Sequence, residues 1–130
     1  MGKGLLGAAV VRRWALETTE AMKLSIYVGD ATRHACKPLY RSIVKLLYEE
    51  EIAGVTVLRG IEGYGSGKQI HTPRIEFLSL DLPVVIVAID QKEKIEAVIP
   101  KVKELSGTEG LMTVERVEVV SPVSAVAGVN

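Results

Sequence analysis

Residues 82–90, LPVVIVAID, constrain the fold more than any other part of the chain. The run is rich in β-branched residues and reads as a strand. A strand with one solvated face alternates apolar and polar residues. VVIVAI does not alternate, so both of its faces are apolar. VTVL, residues 55–58, is nearly the same. A sheet holding these strands must be covered on both faces.

The remaining segments say what is available to cover it. LSIYV, residues 24–28, reads as a first strand, and Gly29-Asp30 through Ala35 as a polar connection. Pro38 suits the first turn of a helix, where its missing N–H costs nothing. Leu39, Ile43, Leu46 and Leu47 then recur at helical spacing. Glu49, Glu50 and Glu51 read as a solvated helix end, with Gly54 as the stop signal. VTVLRG, residues 55–60, is the second strand and LPVVIVAID the third. Asp90 and Glu93 have the spacing of a capping box opening a second helix. Ile95, Val98, Ile99, Val102 and Leu105 mark its buried face, and Pro100 is expected to kink or shorten it. Gly107 and Gly110 flank a turn before LMTVERVEVV, residues 111–120, the fourth strand.

The order is strand, helix, strand, strand, helix, strand. It predicts an α+β fold, the ferredoxin-like βαββαβ sandwich, with one antiparallel sheet and two helices on one face. The other sheet face is apolar and the domain has no further helix for it. The expected cover is a second copy of the chain, in a homo-oligomer that packs sheet faces together.

Composition argues against several functional classes. Sixteen Lys and Arg balance sixteen Asp and Glu, and aromatic residues make up 5%. Neither the positive charge of a nucleic-acid binder nor a base-stacking platform is present. One cysteine makes no internal disulfide, which points to a reducing, cytoplasmic setting. No apolar run has the length of a membrane span. Residues 1–21 are expected to be an N-terminal extension, with a weak amphipathic helix over about 10–19, residues 22–120 the domain, and 121–130 a flexible tail.

The segment RGIEGYGSGKQIHTPR, residues 59–74, joins two strands that a short turn would have linked. Long irregular connections in compact domains are often functional. Gly60, Gly63, Gly65 and Gly67 let backbone N–H groups approach an anion. Arg59, Lys68, His71 and Arg74 add positive charge against Glu62 alone. These four are the candidates for phosphate or partner contacts. SGTEG, residues 106–110, is a second anion-binding candidate, although the commoner reading of such a segment is a helix C-cap followed by a turn. His34, Cys36 and His71 are the available metal ligands if they converge. No Ser-His-Asp set or pair of carboxylates is arranged for catalysis, so an enzyme is not expected.

CKPLY (36–40), GVTVLRGIEGYG (54–65), QIHTPRIEFLSLDLPVVIVAID (69–90) and TVERVEVV together resemble the domain-of-unknown-function family 190, within the PII-like signalling superfamily. The resemblance spans residues 22–120. It implies a trimer with inward-facing sheets and adenine nucleotides bound in clefts between subunits. By resemblance, Gly54, Val55 and Thr56 open the second strand of the PII pattern. Gly63, Tyr64 and Gly65 form the base of the long loop. Ser106, Gly107, Thr108 and Gly110 fall in the phosphate-contacting loop, and Lys68 joins this nucleotide set. The pattern's next Gly and Lys are replaced by Leu111 and Met112. The missing Lys weakens the case for ATP more than for AMP or ADP. Members of the family often carry Gly where this chain has Cys36.

The resemblance implies a homotrimeric regulator without catalysis. An effector (AMP, ADP or ATP) would bind between subunits. The loop 61–76 would signal to a protein partner, such as a membrane transporter or channel. A trimeric metal-binding protein similar to cation-tolerance proteins is the alternative, with His34, Cys36 and His71 as ligands.

Overall fold

The computed structural model describes residues 17–64 and 82–120. The strands are β1 (Thr18–Gly29), β2 (Arg33–His34), β3 (Lys37–Pro38), β4 (Gly54–Arg59), β5 (Pro83–Asp90) and β6 (Leu111–Val120). Helix α1 (Leu39–Glu49) follows β3, and α2 (Lys92–Ser106) follows β5. The main sheet has the order β4-β5-β1-β6, with every pairing antiparallel. β2 and β3 form a separate small hairpin. The arrangement is the ferredoxin-like βαββαβ sandwich, with both helices packed against β1 and β5.

Burial along β5 alternates, although its chemistry does not. Val84, Ile86 and Ala88 are fully buried under the helices, while Val85, Val87 and Ile89 are half-buried. Leu24 and Ile26 join the first set, against Leu39, Ile43 and Leu47 of α1 and Ile95, Val98 and Val102 of α2. Each such Val, Leu or Ile side chain stabilises the fold by about 1.5–3 kcal/mol.

The open face is graded along the strands. Register places Leu58, Val85, Tyr27 and Leu111 in one cross-strand row. Leu58 and Leu111 are more than half exposed and Tyr27 is 40% exposed. The next row is Thr56, Val87, Ser25 and Thr113, and the one beyond it Gly54, Ile89, Lys23 and Glu115. Lys23 and Glu115 pair at 3.8 Å. The exposed apolar surface expected on this face is thus mainly the row at one end of the four-stranded sheet, with Val119 of β6 exposed at the far end of the β1–β6 pair.

Several local expectations are corrected. β1 begins at Thr18, so Thr18–Ala21 are strand residues rather than extension. They pair with Val117–Val120 of β6, and the Thr18 hydroxyl donates to Glu118 at 2.9 Å. Of the helix expected over 10–19, Thr18 and Thr19 are strand; residues 10–16 lie outside the described part. Pro38 is the N-cap of α1 rather than a first-turn residue. The helix ends at Glu49 with Glu50 as its C-cap, and the residue that turns the chain away is Glu51, not Gly54. Glu51 has φ of 62°, its N–H donates to the Tyr48 carbonyl, and the Ile52 N–H donates to that of Leu47. This is a Schellman stop with glutamate in the place usually taken by glycine.

The acidic run does more than face water. Glu50 pairs with Lys101 of α2 at 2.9 Å, and the Glu51 carbonyl accepts from Lys94 at 2.7 Å. Asp90 does not cap α2; Gln91 is the N-cap and makes no side-chain cap bond. The Asp90 carboxylate instead accepts the Ala53 N–H at 2.9 Å, which anchors the entry to β4. Nor does Pro100 shorten α2, which runs on to Ser106. Pro100 and Glu96 both lie on the exposed side of α2, where water can take the place of the N–H that proline lacks.

Candidate ligand-binding site at the loop end of the sheet

Strand ends gather the candidate segments at one end of the sheet. Gly29 lies opposite Pro83 and Tyr27 opposite Leu111. The Gly60 N–H donates to the Pro83 carbonyl at 2.7 Å, extending the β4–β5 ladder into the loop. A Cβ on Gly60 would lie 2.7 Å from Pro83 Cγ, and one on Gly63 would lie 3.2 Å from it. These glycines let the outgoing loop fold closely over the start of β5. Tyr64 follows and is 67% exposed.

On the other side, α2 ends at Gly107, with φ of 63°, whose N–H donates to the Lys103 carbonyl at 2.8 Å. The Glu109 N–H donates to the Ser106 carbonyl at 3.0 Å. Ser106 is buried, whereas Thr108 is exposed. Gly110 has φ of 81°, and a Cβ there would meet the Tyr27 carbonyl oxygen at 2.5 Å and Val28 at 2.9 Å. The C-cap and turn read from SGTEG are present, and Gly110 is fixed by backbone crowding.

Asp30 and Tyr40, which sequence reasoning missed, organise the root of the long loop. The Asp30 N–H donates to the Leu82 carbonyl at 2.7 Å, at the returning end of the loop. Its carboxylate binds Arg59 Nη1 at 2.7 Å, at the outgoing end. This hydrogen bond, with the Asp30 charge, raises the Arg59 pKa above its already high ordinary value; the Tyr40 hydroxyl acts in the same direction. Arg59 thus has an internal partner, and its ion pair braces the loop root. An Asp after a strand-ending glycine resembles any turn, and nothing in the sequence pairs it with residues 59 and 82.

The other candidate residues are dispersed. Gly54 lies at the opposite end of the sheet beside Ile89, Thr56 is on the open face, and Val55 packs against the core. His34 and Cys36 sit on the exposed β2–β3 hairpin. Among the described residues, no group of three or more His, Cys, Asp or Glu side chains is placed to hold a metal ion. Gly65, Lys68, His71 and Arg74 lie outside the described residues, as does most of the segment 61–76. A groove of about 620 Å³ at the far end of the sheet is a different place. It runs between Ala21 of β1, Gln91 at the start of α2, and Val117 of β6, with charges of both signs in its lining.

The fold is that of the PII-like proteins. It matches CPII, a nitrogen regulatory PII-like protein from Thiomonas intermedia K12 bound to ADP, AMP and bicarbonate. The TM-score is 0.65 at 19% identity, covering 84% of this chain and 96% of CPII. CPII bound to ADP and bicarbonate matches with a TM-score of 0.63, also at 19% identity, over 84% of this chain and 97% of that one. The chain belongs to the family DUF190, described as Uncharacterized ACR, whose family model matches residues 21–119. A UPF0166 protein of Aquifex aeolicus is 35% identical over 97 residues, 75% of this chain and 90% of the relative. One from Methanocaldococcus jannaschii is 36% identical over 95 residues, 73% of this chain and 87% of that protein.

Proposed function

We propose that this protein is a non-catalytic regulator that binds an adenine nucleotide in clefts between the subunits of a homotrimer. The observation that carries the reading is the division of the candidate site. Gly63 and Tyr64 follow β4, one edge of the sheet, and Ser106–Gly110 precede β6, the other edge. Strand spacing separates these edges by about 14 Å, with β5 and β1 between them. A second copy set edge to edge would bring the β4 side of one subunit against the β6 side of the next. Closing three copies into a ring this way would turn the exposed row of Leu58, Val85, Tyr27 and Leu111 inward, against the same row of the other two.

The PII-like neighbour CPII, bound to ADP and AMP, supports the ligand class. AMP and ADP are favoured over ATP, because Leu111 and Met112 follow Gly110 where a Lys would neutralise a further phosphate. The loop rooted at Arg59 and Leu82 would carry the signal to a protein partner, a membrane transporter or channel being one kind, in the cytoplasm. A ligand changes that contact only by favouring one loop state over another, typically by about 1–3 kcal/mol.

Thermal unfolding against AMP, ADP, ATP, bicarbonate and divalent metals tests this directly. A nucleotide at about 100 times its dissociation constant stabilises by about 2.7 kcal/mol, a midpoint shift of several degrees. A shift with AMP or ADP is expected. A shift with metal alone, or with no nucleotide, would overturn the reading.

A further inference from the structure

The charge of this neutral chain is unevenly placed. Residues 31–48 contain no Asp or Glu, while Arg33, Lys37, Arg41 and Lys45 recur every fourth position. Elsewhere, Lys23, Arg59, Lys92, Lys94 and Lys101 each pair with an acid, and the exposed Lys103 and Arg116 lie on separate elements, α2 and β6. Arg33, Lys37 and Arg41 have no acidic partner among the described residues, and all three are exposed.

The fold gathers these charges. β2 and β3 pair His34 with Lys37 across the hairpin, and α1 begins directly after Pro38. Arg41, Lys45 and Tyr48 share one helical face, which spans about 10 Å along the axis. Lys45 has Glu49 as a neighbour at 3.1 Å. The Arg41 guanidinium sits 5.6 Å from the Tyr40 ring centroid, where a cation–π contact restrains it before any partner arrives. Tyr48 closes the stripe and is 81% exposed.

We propose that the solvent face of α1, with the β2–β3 hairpin leading into it, is a docking surface for an acidic segment of a partner protein. Guanidinium forks at Arg33 and Arg41 suit carboxylates, which they bind in bidentate fashion. Arg and Tyr are the residue types that dominate binding energy at protein interfaces. The zero net charge argues against a nucleic-acid footprint. Apart from Tyr48, the exposed residues of the stripe carry no large apolar side chain to enter a lipid surface. The stripe lies on the helix layer, opposite the open sheet face, and stays accessible when that face is covered. The proposal stands whether or not the protein binds a nucleotide.

The test is fluorescence anisotropy with a dye-labelled hexaglutamate peptide at low salt. Arg33→Ala/Lys37→Ala/Arg41→Ala is expected to weaken binding at least about tenfold. A charge-matched control, Lys92→Ala/Lys103→Ala/Arg116→Ala, is expected to bind like the parent. All six side chains are exposed, and circular dichroism would verify folding. Equal loss in both variants would mean that bulk charge alone acts, and would overturn the proposal. So would failure of the parent to bind the peptide. Tighter binding of duplex DNA or phosphatidylserine vesicles through the same three residues would overturn it in favour of those partners.

Discussion

Replacing Glu51 by glycine should make this protein more stable, although the substitution removes a side chain and loosens the unfolded chain. Glu51 closes α1 with φ of 62°, a backbone conformation that costs an L-residue about 1–2 kcal/mol. Glycine avoids that cost but gives back about 0.5–1 kcal/mol through its greater freedom in the unfolded state. The Glu51 side chain is exposed and makes no ion pair among the described residues. Its carboxylate also sits unfavourably beyond the negative end of the helix dipole. The bond from Lys94 is to the Glu51 carbonyl, which glycine retains. The balance is a gain of about 0.5–1 kcal/mol, or about 2–5 °C in midpoint at fixed protein concentration. Glu51→Ala provides the control, because it removes the charge and keeps the backbone cost. If Glu51→Gly lowers the midpoint, or Glu51→Ala raises it as much, the backbone argument fails.

Two further outcomes follow from the geometry. Gly110→Ala should destabilise by about 2 kcal/mol or more, because its Cβ would meet the Tyr27 carbonyl at 2.5 Å in addition to adopting a positive φ; Gly107→Ala, in open space, should lose only about 1 kcal/mol. Denaturant unfolding of the two variants side by side checks the order, and equal losses would refute it. Leu58→Glu should weaken self-association while leaving circular dichroism unchanged, because Leu58 is 55% exposed in one subunit and belongs to the apolar row. Sedimentation velocity reads this, and an unaltered oligomer would show that the row is not an interface.

The parts of the fold legible in the sequence were those set by repeated local pattern. The apolar VVIVAI run marked a central strand. Leu39, Ile43 and Leu47, and Ile95, Val98 and Val102, marked the two helix faces that the core uses. The errors came where a distant partner decides. Asp90 has the spacing of a helix cap, yet it serves Ala53, across the junction to another strand. Thr18–Ala21 carry little strand signal by themselves and are held by β6. The β2–β3 hairpin turns through Ala35 and Cys36, with φ of 51° and 69°, without the Asn-Gly that normally announces such a turn. Cys36 there holds a left-handed conformation that glycine adopts at less cost.

The candidate site was legible as glycine-rich segments with nearby charge. Its division between two sheet edges was not, because it depends on the strand order rather than on any one segment. Asp30 was hidden for the same reason: its partners lie at both ends of a long loop.

The central claim, that two neighbouring subunits each supply one half of the site, is tested most directly by complementation. Tyr64→Glu would disable the β4-side half and Thr108→Glu the β6-side half, and each variant alone should lose ADP binding by calorimetry. Refolding the two together lets mixed assemblies form, in which some clefts combine an intact half from each subunit. Recovery of ADP binding in a fraction of the clefts is the predicted result. No recovery from demonstrably mixed assemblies, with the unmutated protein binding ADP normally, would place the whole site within one subunit and contradict the account.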